Sequence, residues 1–146
     1  MRIISGTAGS VPLRVPRSLT RPTTDRVREA VFSSLAEIIP GSKVLDLFAG
    51  SGSLGLEALS RGAEDATFID AANDSIAAIE ENLKKTRLEN GKAIRRDVLA
   101  FISTIGPGIY DLIFADPPYA RGEKTTEQLE QFLTHEKLSR SLKENG

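Results

Sequence analysis

The chain has 146 residues, of which 40% are hydrophobic and 27% are charged, and its formal net charge is −1. This length allows one domain with a buried core, and the composition is ordinary for a globular protein. The chain contains no cysteine, which excludes disulfides and cysteine-based metal sites. No apolar run approaches the roughly 20 residues that a membrane-spanning helix needs. We therefore expect a cytoplasmic protein without a membrane partner.

Positive charge is concentrated at the start of the chain. Residues 1–28 contain six arginines and one acidic residue, whereas the remainder contains 13 basic and 19 acidic residues. The first 22 residues are also rich in Gly, Pro and Ser around short β-like pieces, which predicts a hairpin or an extended arm. We expect residues 1–22 to be a phosphate-binding arm and residues 23–146 to form the main domain.

Helices and strands are predicted to alternate after the arm. Helix-capping residue types at positions 23–25 precede a helix whose apolar positions recur at helical spacing: Val27, Val31, Leu35 and Ile38. Strands are predicted at 43–48, 66–70, 92–97 and 109–115, with helices between them and one or two more after residue 128. This alternation predicts an α/β fold with a mostly parallel sheet and helices on both faces.

A glycine-rich turn follows the first predicted strand. Gly50, Gly52 and Gly55 form the pattern G-x-G-x-x-G, and Asp70 ends the next predicted strand. In nucleotide-binding folds such glycines let the backbone approach the ligand, and the acid binds ribose hydroxyls. The pattern by itself fits a nicotinamide dinucleotide. Its place between a strand and a helix predicts a cofactor site.

The acids near this turn favour a cationic cofactor over a dinucleotide. Asp46 lies inside the first predicted strand, where its carboxylate would repel a pyrophosphate. Asp97 ends the third predicted strand and could accept a hydrogen bond from an adenine amino group. S-adenosylmethionine carries an ammonium and a sulfonium but no phosphate. Three acids around one cleft therefore predict S-adenosylmethionine as the cofactor.

Three stretches resemble a known family. "VLDLFAGSGSLGLEALSRGA" is similar to the first motif of S-adenosylmethionine-dependent methyltransferases, and "DPPY" is similar to their amino-methylating motif. With "RPTTDRVREAVF", they resemble the RsmD-type methyltransferases, which modify the guanine N2 amine in small-subunit ribosomal RNA. The resemblance implies a Rossmann-like methyltransferase fold preceded by an N-terminal hairpin. It also implies ribosomal RNA, or an assembling small subunit, as the partner.

The resemblance also implies which residues hold the cofactor. The first strand and the turn would hold the methionine part, the second strand the ribose and the third strand the adenine. The residues concerned are Asp46, Ala49, Gly50, Ser51, Gly52, Asp70, Asp97 and Val98. Family members often carry a glutamate where this chain has Asp70, so the reach to the ribose is shorter here.

The "DPPY" segment predicts the chemistry. An exocyclic amine is a poor nucleophile because its lone pair is delocalised, so the enzyme must orient the nitrogen. The Asp116 carboxylate and the Pro117 carbonyl can accept the amine hydrogens, and Tyr119 can stack on the base. Such orientation contributes roughly 7–11 kcal/mol to lowering a barrier. We therefore expect these three residues to be catalytic, acting on an unpaired or flipped-out base.

Arginines near the start are the candidate RNA contacts. The four positions are Arg14, Arg21, Arg26 and Arg28. Family members usually have a more basic hairpin, of which only Arg14 remains here, so we expect a weaker grip on RNA. The sequence shows no metal-ligand spacing.

Other functions share part of this pattern. A DNA adenine-N6 methyltransferase would also use "DPPY", although the basic arm and "RPTTDRVRE" favour ribosomal RNA. A non-catalytic module that binds cofactor or RNA would keep the glycine turn but would not need "DPPY". A nicotinamide oxidoreductase is disfavoured by Asp46.

The strand count predicts a truncated sheet. Methyltransferases of this class carry seven strands, whereas four are predicted here, in the family order 3-2-1-4. Strand 109–115 would then be an edge that exposes Ile109, Leu112, Ile113 and Phe114. We expect this chain to be a C-terminally truncated form of a longer protein, with self-association through that edge and weak or no activity.

Overall fold

The computed structural model describes residues 1–17 and 24–116. The helices are α1 (Asp25–Ser34), α2 (Ser53–Ser60), α3 (Asn73–Thr86) and α4 (Val98–Ile102). The strands are β1 (Lys43–Leu47), β2 (Asp65–Asp70), β3 (Gly91–Arg95) and β4 (Leu112–Ala115). Within these ranges, no helix is both long and apolar enough to span a membrane. The helices expected after residue 128 lie outside the described residues.

The strands form one parallel sheet in the order β3-β2-β1-β4. The predicted α/β architecture and the predicted strand order are both confirmed. In the centre, Leu47 of β1 is in register with Ile69 of β2 and Ala115 of β4. Because all strands run the same way, their carboxyl ends meet at one edge, which is where such sheets bind ligands.

Helices cover both faces of the sheet. One face carries Val44 and Phe68 and packs against the N-terminal hairpin, α1, α2 and α3. The opposite face packs against α4 through these buried residues: Leu45, Leu47, Ile69, Val98, Ile102 and Tyr110. Side chains alternate along a strand, so Asp46 points to the same side as Val44, toward α2. The sheet is therefore buried on both faces.

Helix α1 begins where the sequence predicts but turns a different face inward. The hydroxyl of Thr24 caps the helix by accepting from the amide of Val27. Val27 and Ile38 are 51% and 47% exposed, whereas Arg28 and Phe32 are fully buried. The predicted inward stripe is wrong at these two positions. At Val27 the reason is an ion pair that brings Arg28 inside, which hydrophobic spacing cannot reveal. Ile38 lies beyond the end of α1 at Ser34, so the predicted helix is too long.

The first residues form the predicted hairpin. Arg2 and Pro12 make an antiparallel bridge, and the amide of Ile3 donates to the carbonyl of Val11 at 3.0 Å. The hairpin lies against the domain, because Ile3 and Leu13 are 0% and 6% exposed and belong to the main core. A separate RNA-binding role for residues 1–22 stays a prediction.

Strand β4 pairs only with β1 among the described strands. Ile109, just before it, is 40% exposed, as predicted for an edge. The prediction that Phe114 is exposed is wrong: the side chain is buried, and its ring centroid lies 5.4 Å from that of Phe32 on α1. Helix α1 thus covers this end of the strand. Self-association through residues 109–115 stays a prediction.

Candidate active site

The glycine turn connects β1 to α2 through left-handed backbone. Phe48, Gly50 and Gly52 have φ values of 56°, 60° and 81°. Glycine adopts this region without steric cost, whereas a residue with a side chain does so rarely. The amide of Gly52 donates to the carbonyl of Ala49 at 2.8 Å, and α2 begins immediately afterwards. The turn therefore presents main-chain groups at the carboxyl edge of the sheet.

The third glycine of the pattern serves packing. A Cβ on Gly55 would lie 2.4 Å from Cε1 of Phe68, so only glycine lets α2 approach β2 this closely. Its amide donates to Oδ2 of Asp46 at 3.0 Å. Gly55 thus fixes both the height of α2 above the sheet and the orientation of a carboxylate in β1.

Asp70 joins two loops at the carboxyl edge. Its Oδ2 accepts from the amide of Gly50 at 2.9 Å, and its Oδ1 accepts from the amide of Ala72 at 2.9 Å. These two bonds hold the glycine turn against the start of α3. Each carboxylate oxygen has a second lone pair, so this arrangement still allows acceptance from a ribose hydroxyl.

Asp46 is the most perturbed acid of the site. Its side chain is buried, and this burial is the main reason that its pKa is raised to about 8. The negative charges of Asp116 and Asp70 raise the pKa further, while the hydrogen bond from Gly55 lowers it. No basic side chain in residues 1–17 or 24–116 forms an ion pair with Asp46. The structure therefore brings Asp46, Asp70 and Asp116 into one electrostatic neighbourhood, whereas Asp97 is not among the charges that act on Asp46.

Asp97 and Val98 lie at the adjoining corner, after β3. Asp97 is the N-cap of α4, and its Oδ2 accepts from the amide of Ala100 at 3.0 Å. Val98 is buried under the sheet, so it offers little surface to a ligand. The amide of Arg96 donates to the carbonyl of Asp70 at 3.0 Å, which ties this corner to the end of β2.

The predicted catalytic segment is described only at its first residue. Asp116 follows Ala115, whose register partner is Leu47, and therefore lies beside the start of the glycine turn. Pro117 and Tyr119 lie outside the described residues. Among residues 1–17 and 24–116, no cluster of His, Cys, Asp and Glu could hold a metal ion.

The candidate RNA contacts differ in accessibility. Arg14 is exposed and pairs with Glu81 at 2.7 Å, and Arg26 is exposed on α1. The prediction for Arg28 is wrong: its guanidinium is fully buried and bonds to Asp25, Glu57 and the carbonyl of Arg2. A group enclosed in this way cannot reach a phosphate. Arg21 lies outside the described residues.

Sequence reasoning missed two fully buried polar residues that organise the site. Glu57, on α2, binds the amides of Ile4 and Ser5 at 2.8 and 3.0 Å. Asn82, on α3, joins the hairpin to the glycine turn. A hint was present for Glu57, which stands among apolar neighbours on a helix predicted to pack on the sheet, whereas Asn82 follows two glutamates and gives no such signal. The main-chain groups of the hairpin and the glycine turn that they bind are 31 to 68 residues distant in sequence.

Comparison with known proteins decides the family. The model of the family described as "Conserved hypothetical protein 95" matches residues 1–143. The chain belongs to this family. It is 41% identical over 133 residues to "Ribosomal RNA small subunit methyltransferase D" of Escherichia coli strain K12, covering 89% of this chain and 67% of that protein.

Solved structures agree with the family and its fold. "Putative methyltransferase yhhF from Escherichia coli" superposes with a TM-score of 0.75 at 39% identity, covering 89% of this chain and 72% of that one. SMU.776, described as "a putative methyltransferase complexed with SAH", superposes at 0.55 with 25% identity, covering 66% and 27%. The predicted Rossmann-like methyltransferase fold is confirmed, and so is S-adenosylmethionine as the cofactor of the family.

The residues of this chain fit that cofactor. A buried carboxylate with acidic neighbours and no paired cation suits a ligand with an ammonium and a sulfonium. The left-handed turn of Gly50 and Gly52 brings main chain to the same edge. Asp46 and the turn would hold the methionine part, Asp70 the ribose and Asp97 the adenine.

Proposed function

We propose that this protein transfers a methyl group to the exocyclic N2 amine of a guanine in small-subunit ribosomal RNA. S-adenosylmethionine, when bound, supplies the methyl group. The observation that carries the proposal is the parallel register of β4 with β1, which puts Asp116, the acid of "DPPY", directly after Ala115, the register partner of Leu47, and so close to Asp46. This supports a single site in which Asp116 would bind the amine and Asp46 the cofactor. The relatives named as ribosomal RNA methyltransferases support RNA as the substrate.

Asp116 has the role of orienting the amine. Its carboxylate accepts one hydrogen of the exocyclic amine, and the Pro117 carbonyl is assigned the other. With both hydrogens held, the nitrogen lone pair points toward the methyl group, which is the geometry that in-line transfer needs. Tyr119 is assigned to the face of the base. A strong general base is unnecessary, because the nitrogen loses its proton readily once it has become cationic.

Replacing Asp116 with alanine tests this role. We expect Asp116→Ala to bind S-adenosylhomocysteine within a few fold of the unchanged protein and to lose methyl transfer to ribosomal RNA. The matched control is Asp65→Asn, which changes an acid at the opposite, amino-terminal edge of the sheet. Calorimetry measures binding, and transfer of label from the cofactor measures activity. Near-normal transfer by the Asp116 variant would refute the assignment.

The same assay distinguishes the substrates. Labelled cofactor offered with total ribosomal RNA or with DNA separates the proposal from DNA adenine-N6 methylation. Nuclease digestion and mass analysis of the labelled RNA then identify the base and the methylated nitrogen. If the label is found on an adenine, or only in DNA, guanine N2 is not the acceptor. Cofactor binding without transfer to either polymer would favour a non-catalytic module.

A further inference from the structure

A single buried amide connects the N-terminal hairpin to the glycine turn. Asn82 lies in the middle of α3 and is fully buried. Its Oδ1 accepts from the amide of Arg14 at 2.7 Å, and its Nδ2 donates to the carbonyl of Arg14 at 2.9 Å. The same Nδ2 donates to the carbonyl of Ser51 at 3.0 Å. One side chain therefore holds two segments that are far apart in sequence.

The three bonds define the orientation of the amide. A primary amide has two N–H donors and a carbonyl acceptor, and here both donors and the acceptor are engaged. Reversing the group would direct N–H at the amide of Arg14 and oxygen at two carbonyls. The contact with Arg14 imitates a strand partner, because it binds both main-chain groups of one residue. The hairpin is thereby held in register against α3.

The other contact reaches the cofactor site. Ser51 lies between the two left-handed glycines of the turn, and it is buried. Its hydroxyl donates to the sulfur of Met1 at 3.3 Å, so one end of the hairpin touches Ser51 directly and the other end is joined to it through Asn82. Displacement of the hairpin would remove the Met1 contact and release the amide that holds the Ser51 carbonyl. The conformation of the turn therefore depends on the docked hairpin.

We infer that Asn82 is a positioning residue that couples the N-terminal hairpin to cofactor binding. The inference rests on the proposed role of residues 49–52 in holding the cofactor. Docking of the hairpin strengthens cofactor binding, because it keeps the Ser51 carbonyl and the adjoining glycines in the conformation that receives the ligand. By reciprocity, the cofactor strengthens docking of the hairpin by the same factor. RNA bound at Arg14 would then favour the cofactor-binding conformation.

The isosteric variant Asn82→Asp tests the coupling. A carboxylate keeps the acceptor for the Arg14 amide but loses both donors to the carbonyls. We expect its affinity for S-adenosylhomocysteine, measured by calorimetry on folded protein, to fall at least tenfold. The control is Glu81→Gln, which removes only the exposed pair with the Arg14 guanidinium and should change affinity less than twofold. Unchanged affinity in Asn82→Asp would overturn the inference.

Hydrogen exchange of the unchanged protein gives a test that does not depend on folding of a variant. S-adenosylhomocysteine should slow exchange of the Arg14 amide at least tenfold more than that of Ala8. Both amides belong to the hairpin, but Ala8 donates to the hydroxyl of Ser60 at the far end of α2. Equal slowing of the two amides would contradict a specific connection through Asn82.

These measurements separate the inference from the proposed function. Neither uses RNA or methyl transfer, so a protein that fails to methylate guanine can still show the coupling. If S-adenosylhomocysteine does not bind the unchanged protein, both the cofactor assignment and the inference are overturned. If it binds equally well to the unchanged protein and to Asn82→Asp, only the inference is overturned.

Discussion

Two buried carboxylates on the same side of the sheet have opposite surroundings. Glu57, on α2, is fully buried and accepts from two hairpin amides and from the guanidinium groups of Arg28 and Arg61. Asp46, on β1, is 1% exposed and accepts from the amide of Gly55, and the charged groups that act on it are acids. One carboxylate is surrounded by donors of this chain, and the other has no positive partner among residues 1–17 and 24–116.

The difference indicates what each acid does. A buried charge must be paired, or its pKa shifts until it is neutral. Glu57 has its cations within the protein, so it acts as a structural centre for the hairpin, α1 and α2. Asp46 has a raised pKa of about 8 and acidic neighbours. A cationic ligand would supply the positive charge that pairs with it. Buried acids of this second kind are candidates for function.

The largest expected effect is the loss of stability when Glu57 is replaced. We expect Glu57→Gln to lower the free energy of unfolding by about 3–5 kcal/mol, because it removes the buried one of the two acids that pair with the Arg28 guanidinium and leaves only the half-exposed Asp25 of that pair. Denaturant titration measures the loss. The matched control is Glu64→Gln on the surface, for which we expect a change within about 0.5 kcal/mol. A loss below about 1 kcal/mol would show that the pair is not structural.

Asp46 should show the converse behaviour: its replacement should weaken cofactor binding and leave the fold stable. Asp46→Asn keeps an acceptor for the Gly55 amide, so the fold is retained. We expect S-adenosylhomocysteine to bind at least tenfold more weakly, a change of about 1.4 kcal/mol, because its ammonium loses the carboxylate. Calorimetry at pH 8 measures the difference. Equal affinities would remove Asp46 from the cofactor site.

The pH dependence of stability sharpens the contrast. The pKa of Asp46 is raised in the folded protein from 3.8 to about 8, so the folded state retains a proton that the unfolded state releases. The resulting stability is complete below pH 4 and is lost as the pH rises toward 8. We expect the melting temperature of the unchanged protein to fall relative to that of Asp46→Asn across this window. A constant difference would contradict the shifted pKa.

Asp25, another acid with a shifted pKa, does not interfere with that measurement. The Arg28 hydrogen bond lowers the pKa of Asp25, which gives stability that is lost as the pH falls. This contribution has the opposite sign, and it is present equally in both proteins. Subtracting the two melting curves therefore isolates Asp46 together with its interactions with Asp70 and Asp116.

The smallest expected effect concerns arginines. Arg28 points inward to Glu57, whereas Arg26 is exposed on the same helix. We expect Arg26→Gln to weaken RNA binding at low salt and to reduce the slope of log affinity against log salt by about 0.7–0.9, the value of one phosphate contact. The control is Lys92→Gln on β3, away from the hairpin. An unchanged slope would remove Arg26 from the RNA contacts.

The two acids also show how far sequence alone leads. Asp46, Asp70 and the glycine turn follow from local pattern, because the carboxyl ends of parallel strands must meet at one edge. The inward face of α1 could not be predicted in this way. Arg28 is buried because it pairs with Glu57, and the spacing of residues within α1 cannot predict a partner on another helix. Asn82 was missed for the same reason, since its partners Arg14 and Ser51 belong to distant segments.

The fit of the hairpin against α2 has a consequence for biosynthesis. A Cβ on Gly6 would lie 1.9 Å from the Ser60 carbonyl oxygen, and the amide of Thr7 donates to that oxygen at 2.8 Å. The hairpin thus completes the last turn of α2. A nascent chain emerges N-terminus first, so the hairpin leaves the ribosome before α2 and α3 exist to receive it. The hairpin residues are therefore made before the helices that supply many of their native contacts.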